Sequence, residues 1–230
     1  MQINLSVTNI SGVAVAAGHH DALDQAVEHI TAQIGLETDE IDRRKAFLEF
    51  SESGCDLLRA VHDELGRGEH SVAEHFYSHL RSFAPTNGLL QKSDLARLKR
   101  TQGAYFRSLT AGSYDANYVR NRLRVGLVHQ RIGLASNWYL GAYRKYLDEL
   151  MPVLWTATEG DPQRFLSTSD ALIKIVLLDM GIALDTYFHA GREAIVQHKD
   201  YVEQIISGMP SGLMVINADG VVVTLYPAKG

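Results

Sequence analysis

The chain has 230 residues, 46% hydrophobic and 21% charged, with a formal net charge of −5. This is the make-up of a water-soluble domain with one sizeable core, and it excludes the dense basic footprint of a nucleic-acid binder. A lone cysteine, Cys55, excludes an internal disulfide framework, no apolar run reaches the length of a membrane span, and a cytoplasmic protein is expected.

Residues 1–38 show mixed polarity and scattered glycines without a sustained period. They read as a flexible arm in which Asp21 to Ile34 could form a helix that nothing pins. From Asp39 to about residue 200, helix follows helix. A short one is predicted over Asp39–Leu48. Ser51 then caps an apolar run through Leu57, Leu58, Val61 and Leu65, with Gly66 as its stop. The next runs from about Glu69 to Phe83 and is closed by Pro85. Ser93 or Asp94 caps a helix carrying Leu95, Leu98, Tyr105, Phe106 and Leu109, ended by Gly112. Asp115 caps another that contains His129 and stops near Gly133.

After Ser136 the stripe Leu140, Tyr143, Leu147, Leu150 and Leu154 marks a helix, bent in its last turn by Pro152. Asp161-Pro162 opens the longest helix, a cap followed by proline at the first helical position. That helix carries two apolar stripes: Ile173, Leu177, Met180, Leu184 and Tyr187, and Leu172, Ile175, Leu178 and Ile182. A helix on the outside of a monomer needs only one. Either the helix is wholly buried or its second face pairs with a second copy. Residues 201–230 change character: Leu213–Ile216 and Val221–Leu225 read as strands joined at Asp219-Gly220. Two strands do not stand alone in water, so the start of a further domain is expected here.

Ten histidines raise the question of a metal. His19 and His20 fall in the arm, while His29, His62, His70, His189 and His198 sit among polar neighbours and read as solvated surface residues. His75 and His79, four apart, could clamp a zinc, but no second pair completes the set. His129 differs. On a helix it shares a face with Tyr118, Val125 and Ile132, so the imidazole projects from an apolar stripe. It is either a core histidine bonded to a backbone carbonyl or the single neutral imidazole that a porphyrin iron takes on its proximal side. Tyr77, on a helix well upstream, is a core tyrosine or, with a haem present, a hydroxyl donor to oxygen.

Three segments carry a resemblance. His129-Gln130-Arg131-Ile132-Gly133-Leu134 with Trp138-Tyr139-Leu140-Gly141-Ala142-Tyr143 resembles the proximal region of the globin-coupled sensors. Phe76-Tyr77 before Leu80 resembles that family's distal helix, and Leu98-Lys99-Arg100-Thr101-Gln102 with Tyr105 the helix over its pocket. The likeness spans roughly Asp39 to Tyr201. The residues from Ile205 to Gly220 resemble the opening of a PAS domain.

The resemblance implies an all-α, globin-like sensor fold without a full set of short helices over 39–200, and a truncated α/β, PAS-like hairpin over 201–230. It implies haem b, with His129 as axial ligand and Tyr77 as donor to oxygen or another diatomic gas. Thr101 would stand beside Tyr77, Leu98 would line the distal pocket, Val125 and Ile132 would pack on the proximal face, and Tyr139 would help orient His129. Arg97, Arg100, Arg122 and Arg131 are equal candidates for the propionates. It further implies a homodimer through the last two globin helices and a C-terminal transmitter, such as a histidine kinase or diguanylate cyclase. A haem enzyme acting on oxygen or nitric oxide, or a haem-free helical relay, are the alternatives, and no Gly-rich dinucleotide fingerprint supports the enzyme.

Overall fold

A computed structural model describes residues 17–209 and 211–226. Helices follow in the order α1 (Ala17–Ile34), α2 (Thr38–Phe47), α3 (Glu52–Arg81), α4 (Ala84–Leu90), α5 (Leu95–Thr110), α6 (Ala116–Arg131), α7 (Ser136–Ala157) and α8 (Pro162–Gly208). Strands β1 (Leu213–Ile216) and β2 (Val222–Tyr226) come last. The chain divides into two compact units after Tyr187, earlier than the boundary near residue 200 read from the sequence.

In the first unit α3 packs on α5 and α7, and α1 packs on α6. Helix α1 departs from the loose arm the sequence suggested: Val27 and Ile30 are buried on one face, and Asp24 pairs with Arg124 of α6. Two buried residues make too short a stripe to register as a period. Residues 1–16 of that arm lie outside the described residues.

Helix α3 is a second departure. The sequence placed a stop at Gly66 and a new helix near Glu69, but one helix runs from Glu52 to Arg81. Its buried stripe, Leu58, Val61, Leu65, Val72 and Phe76, keeps helical phase across the interruption. A glycine costs only about 1 kcal/mol relative to alanine inside a helix, less than one such apolar side chain gains by burial, about 1.5–3 kcal/mol.

The punctuation of the later helices is local and follows the sequence. Asp94 accepts from the Arg97 N–H and Asp115 from the Tyr118 N–H. Asp161 accepts from the N–H groups of Gln163 and Arg164. At the end of α6 the Leu134 N–H donates to the His129 carbonyl and the Gly133 N–H to that of Gln130. This closure needs a left-handed residue, and Gly133 has φ +78°.

Helix α8 separates its two stripes. Leu172, Ile175, Leu178 and Ile182 are buried in the core, whereas Ile173 and Leu177 are 41% and 46% exposed. Helix α6 crosses α8 closely at Gly126, where a Cβ would stand 2.6 Å from Thr186 Oγ1 and 2.9 Å from the Ala183 carbonyl oxygen. Only glycine permits that approach.

In the second unit β1 and β2 pair antiparallel, Leu213 with Tyr226 and Ile216 with Val222, with a register irregularity after Val215. Asn217 Oδ1 accepts from the N–H groups of Asp219 and Val221 to form the turn. β2 begins at Val222, one residue later than expected.

Candidate functional site

His129 lies in the last turn of α6. Its Nδ1 is 2.8 Å from the carbonyl oxygen of Val125. A carbonyl can only accept, so Nδ1 carries the proton and Nε2 keeps its lone pair. Burial pushes the imidazole pKa below its ordinary value, against the smaller opposing effect of the Val125 bond, so the ring is neutral near pH 7. A neutral imidazole with its tautomer fixed through the other nitrogen is the donor a transition metal takes from histidine. The two readings left open by the sequence describe different nitrogens of one ring.

The backbone of His129 is equally tied. Its carbonyl accepts from Leu134 N–H, and the Leu134 carbonyl accepts from the Tyr187 hydroxyl of α8 at 3.0 Å. Tyr139, buried on α7, places its ring centroid 5.1 Å from that of His129. Val125 packs half-buried against the core, and Ile132 is half-buried at the end of α6. His129 therefore touches both Val125 and Tyr139.

Tyr77 is buried on α3. Its ring stands edge-on to Phe76, which packs on Tyr146 of α7 with centroids 4.6 Å apart. Gln102 of α5 donates to the Tyr146 hydroxyl. The Tyr77 hydroxyl itself has no hydrogen-bond partner among the described residues, and burial alone pushes its pKa up. Leu98 packs half-buried against the core. Thr101 is exposed, and its hydroxyl donates to the Arg97 carbonyl at 3.1 Å. No described contact joins Thr101 to Tyr77.

Between these regions lies a polar centre that the sequence reading missed. Asp179 of α8 and Arg122 of α6 are 0% and 1% exposed. Arg122 Nε is 2.8 Å from Asp179 Oδ2, near enough for strong attraction although not aligned as a hydrogen bond. The guanidinium lies 4.2 Å from the ring centroids of both Tyr105 and Tyr118, and donates to Ser108. The Tyr118 hydroxyl donates to Asp179 Oδ1, and that of Tyr105 lies 2.8 Å from Oδ2. Burial pushes the Asp179 pKa up, while Arg122 and the hydroxyls pull it down. Arginine does not lose its proton in proteins, and a buried guanidinium without a counter-charge is strongly unfavourable. Asp179 is therefore the ionised partner. This corrects the assignment of Arg122 as a propionate candidate, because its charge is already engaged. One signal in the sequence pointed here: Asp179 falls four residues after Ile175 and three before Ile182, on the apolar stripe itself.

Two histidines read as solvated are engaged. His62 Nδ1 lies 2.8 Å from Thr110 Oγ1, and the His189 side chain is 8% exposed and 3.6 Å from Glu193. His75 Nδ1 lies 2.8 Å from Glu149 Oε2. Among the described residues no group of three or more His, Cys, Asp or Glu side chains could hold a metal ion, and no helix is long and apolar enough to cross a membrane.

A layered helical domain with a single fixed imidazole on an apolar helix face is a globin-like arrangement. The chain belongs to the Protoglobin family, whose model matches residues 37–193. It is similar to the heme-based aerotactic transducer HemAT of Halobacterium salinarum, 28% identical over an alignment of 189 residues that covers 78% of this chain and 39% of that protein. The chain thus corresponds to well under half of that relative. Among solved structures, the globin domain of a Geobacter sulfurreducens globin-coupled sensor aligns with a TM-score of 0.60 and 26% identity, over 64% of this chain and 96% of that one. The ferric globin domain of E. coli DosC shares the fold, with a TM-score of 0.55 and 15% identity, over 63% of this chain and 97% of that one.

Proposed function

We propose that the helical domain is a haem-based sensor of oxygen or another diatomic gas that governs a C-terminal signalling module, and that it is not itself an enzyme. The observation that carries this reading is the His129 ring, neutral, with Nδ1–H held by Val125 and Nε2 left as a donor. A haem b ligated there would supply an iron with one open position for a diatomic gas. Membership of the Protoglobin family and the heme-based aerotactic role of the HemAT relative favour the same cofactor and signal.

Each side chain then has a task. Tyr77 offers a hydroxyl with no acceptor among the described residues, able to donate to a gas that gathers negative charge. Thr101 is a second donor only if its single proton leaves the Arg97 carbonyl. Leu98 limits water on the distal side, Val125 and Ile132 give the proximal side its apolar surface, and Tyr139 fixes the plane of the imidazole through ring contact.

The exposed apolar residues Ile173 and Leu177 on α8 and Trp155 on α7 favour a homodimer through these last two globin helices. The β1–β2 hairpin fits the first strands of a PAS-like domain leading to a transmitter, and a cytoplasmic location belongs to the same proposal. The decisive experiment is the absorption spectrum of the chain supplied with haem. Wild type is expected to show an intense Soret band of histidine-ligated iron, and His129→Ala to lose that ligation. A colourless wild type, or ligation unchanged in the variant, would overturn the proposal and leave a haem-free helical relay.

A further inference from the structure

A line of hydroxyls joins the polar centre to Tyr139, whose ring meets that of His129. The Tyr139 and Tyr143 hydroxyls are 3.0 Å apart, those of Tyr143 and Tyr105 are 2.9 Å apart, and Tyr105 is 2.8 Å from Asp179 Oδ2. Burial pushes all three phenol pKa values up, so each remains protonated with one proton to give. The Tyr105 hydroxyl is aimed as donor at both Asp179 Oδ2 and the Tyr143 hydroxyl, but it carries one proton. An ionised Asp179 can only accept, so it claims that proton; Tyr143 then turns its own to Tyr105, and Tyr139 its own to Tyr143. The Tyr139 proton thus points away from His129, and the Nδ1–H of His129 keeps the Val125 carbonyl as its acceptor.

We propose that Asp179 is a positioning residue for His129, acting through Tyr105, Tyr143 and Tyr139, so that a directed chain of hydrogen bonds couples helix α8 to the imidazole. This rests on the reading of His129 as an axial ligand. Two further contacts hold α8 against the same stretch of chain: Tyr187 bonds the Leu134 carbonyl just past His129, and Thr186 and Ala183 meet Gly126 one turn before it. A shift of α8 relative to α5 and α6 therefore alters the last acceptor in the line, and with it the ring that fixes the imidazole. The coupling is reciprocal: whatever the ligand does to the imidazole acts back on α8 with equal free energy.

The chain separates its own controls. Tyr118 donates to the same carboxylate but lies off the line to Tyr139. Tyr143→Phe cuts the line while leaving the Arg122–Asp179 pair intact, and Asp179→Asn removes what directs it. The measurement is the iron–histidine stretching frequency of the full chain in its ferrous, haem-loaded, gas-free form, together with the oxygen dissociation rate. Tyr143→Phe and Tyr105→Phe are expected to shift the frequency in the same sense as Asp179→Asn. They should change the dissociation rate by about two- to tenfold, the range of one neutral hydrogen bond. Tyr118→Phe is expected to lower thermal stability and leave the frequency in place.

An unmoved frequency in Tyr143→Phe overturns the proposal even if Asp179→Asn fails to fold. An equal shift in Tyr118→Phe also overturns it, because the effect would then be general loosening of the core. Absence of any iron–histidine band in wild type strikes first at the sensor reading and takes this proposal with it; a normal wild-type band that the relay variants leave alone defeats the relay only.

Discussion

The surroundings of His129 and of Tyr77 are opposites. At His129 the ring nitrogen, the carbonyl and the neighbouring tyrosine hydroxyl each have a partner, and the line of partners runs to a buried ion pair. At Tyr77 the ring is buried but the hydroxyl has no partner among the described residues. A hydroxyl that the protein does not take up stays available to another acceptor. Under the proposed function, the contrast teaches that a fixed attachment point and an open donor need opposite local chemistry, one saturated and one left incomplete.

The contrast breaks most severely at the ion pair. Arg122→Ala leaves the Asp179 carboxylate buried without its counter-charge, and a loss of about 3–5 kcal/mol is expected. A shifted urea midpoint measures it. The double change Arg122→Met with Asp179→Leu removes both charges and should recover part of that loss. Full recovery is not expected, because Tyr105 and Tyr118 lose their acceptor. A loss below about 1 kcal/mol for Arg122→Ala would mean that the pair is solvated.

Next comes the crossing of α6 and α8. A methyl at Gly126 would stand 2.9 Å from the Ala183 carbonyl oxygen, which belongs to backbone and cannot rotate away. Gly126→Ala gains about 1 kcal/mol of helix propensity but forces the two helices apart, with an overpacking loss of about 1–3 kcal/mol. The net result should be a lower melting temperature. A rise would show that α8 yields easily, which would also weaken its grip on the turn after His129.

How much of this was legible depends on the range of the interaction. The caps at Asp94, Asp115 and Asp161 act on N–H groups two or three residues away, so a short stretch of sequence contains both partners. His129 stands out as a candidate because an imidazole follows directly on the apolar run Val125-Gly126-Leu127-Val128. Gly66 misled because its helix propensity is local, whereas the burial that overrides it comes from α5 and α7. Asp179 stands out on its apolar stripe, but nothing near it or near Arg122 in the sequence names the other as partner until the fold brings them together from different helices. The line from Tyr139 to Asp179 joins three helices, so no spacing within one segment could announce it.

A smaller effect concerns pH. Burial lowers the His129 pKa from its ordinary 6.5. The unfolded chain then binds more protons than the folded one between the two values, and stability falls as pH drops through about 6.5, levelling off below the folded value. Above that window the contribution is fully present. His129→Gln removes the titrating group, so its melting temperature should fall less steeply than that of wild type between about pH 7 and pH 5. Parallel curves for the two haem-free proteins would mean that the ring is as well solvated folded as unfolded.

The smallest change in stability belongs to Tyr77→Phe. The hydroxyl has no partner among the described residues to lose, so the haem-free chain should change by less than about 1 kcal/mol in either direction. The same substitution in the haem-loaded chain removes a donor to a partly charged acceptor, a contribution of about 1.5–3 kcal/mol, and oxygen should dissociate about ten- to a hundredfold faster. Carbon monoxide gathers less charge and should respond less, so equal changes for the two gases would assign Tyr77 to packing alone. A large loss of stability in the haem-free chain would mean that the hydroxyl has a structural partner, and the contrast between the two sides of the site would disappear.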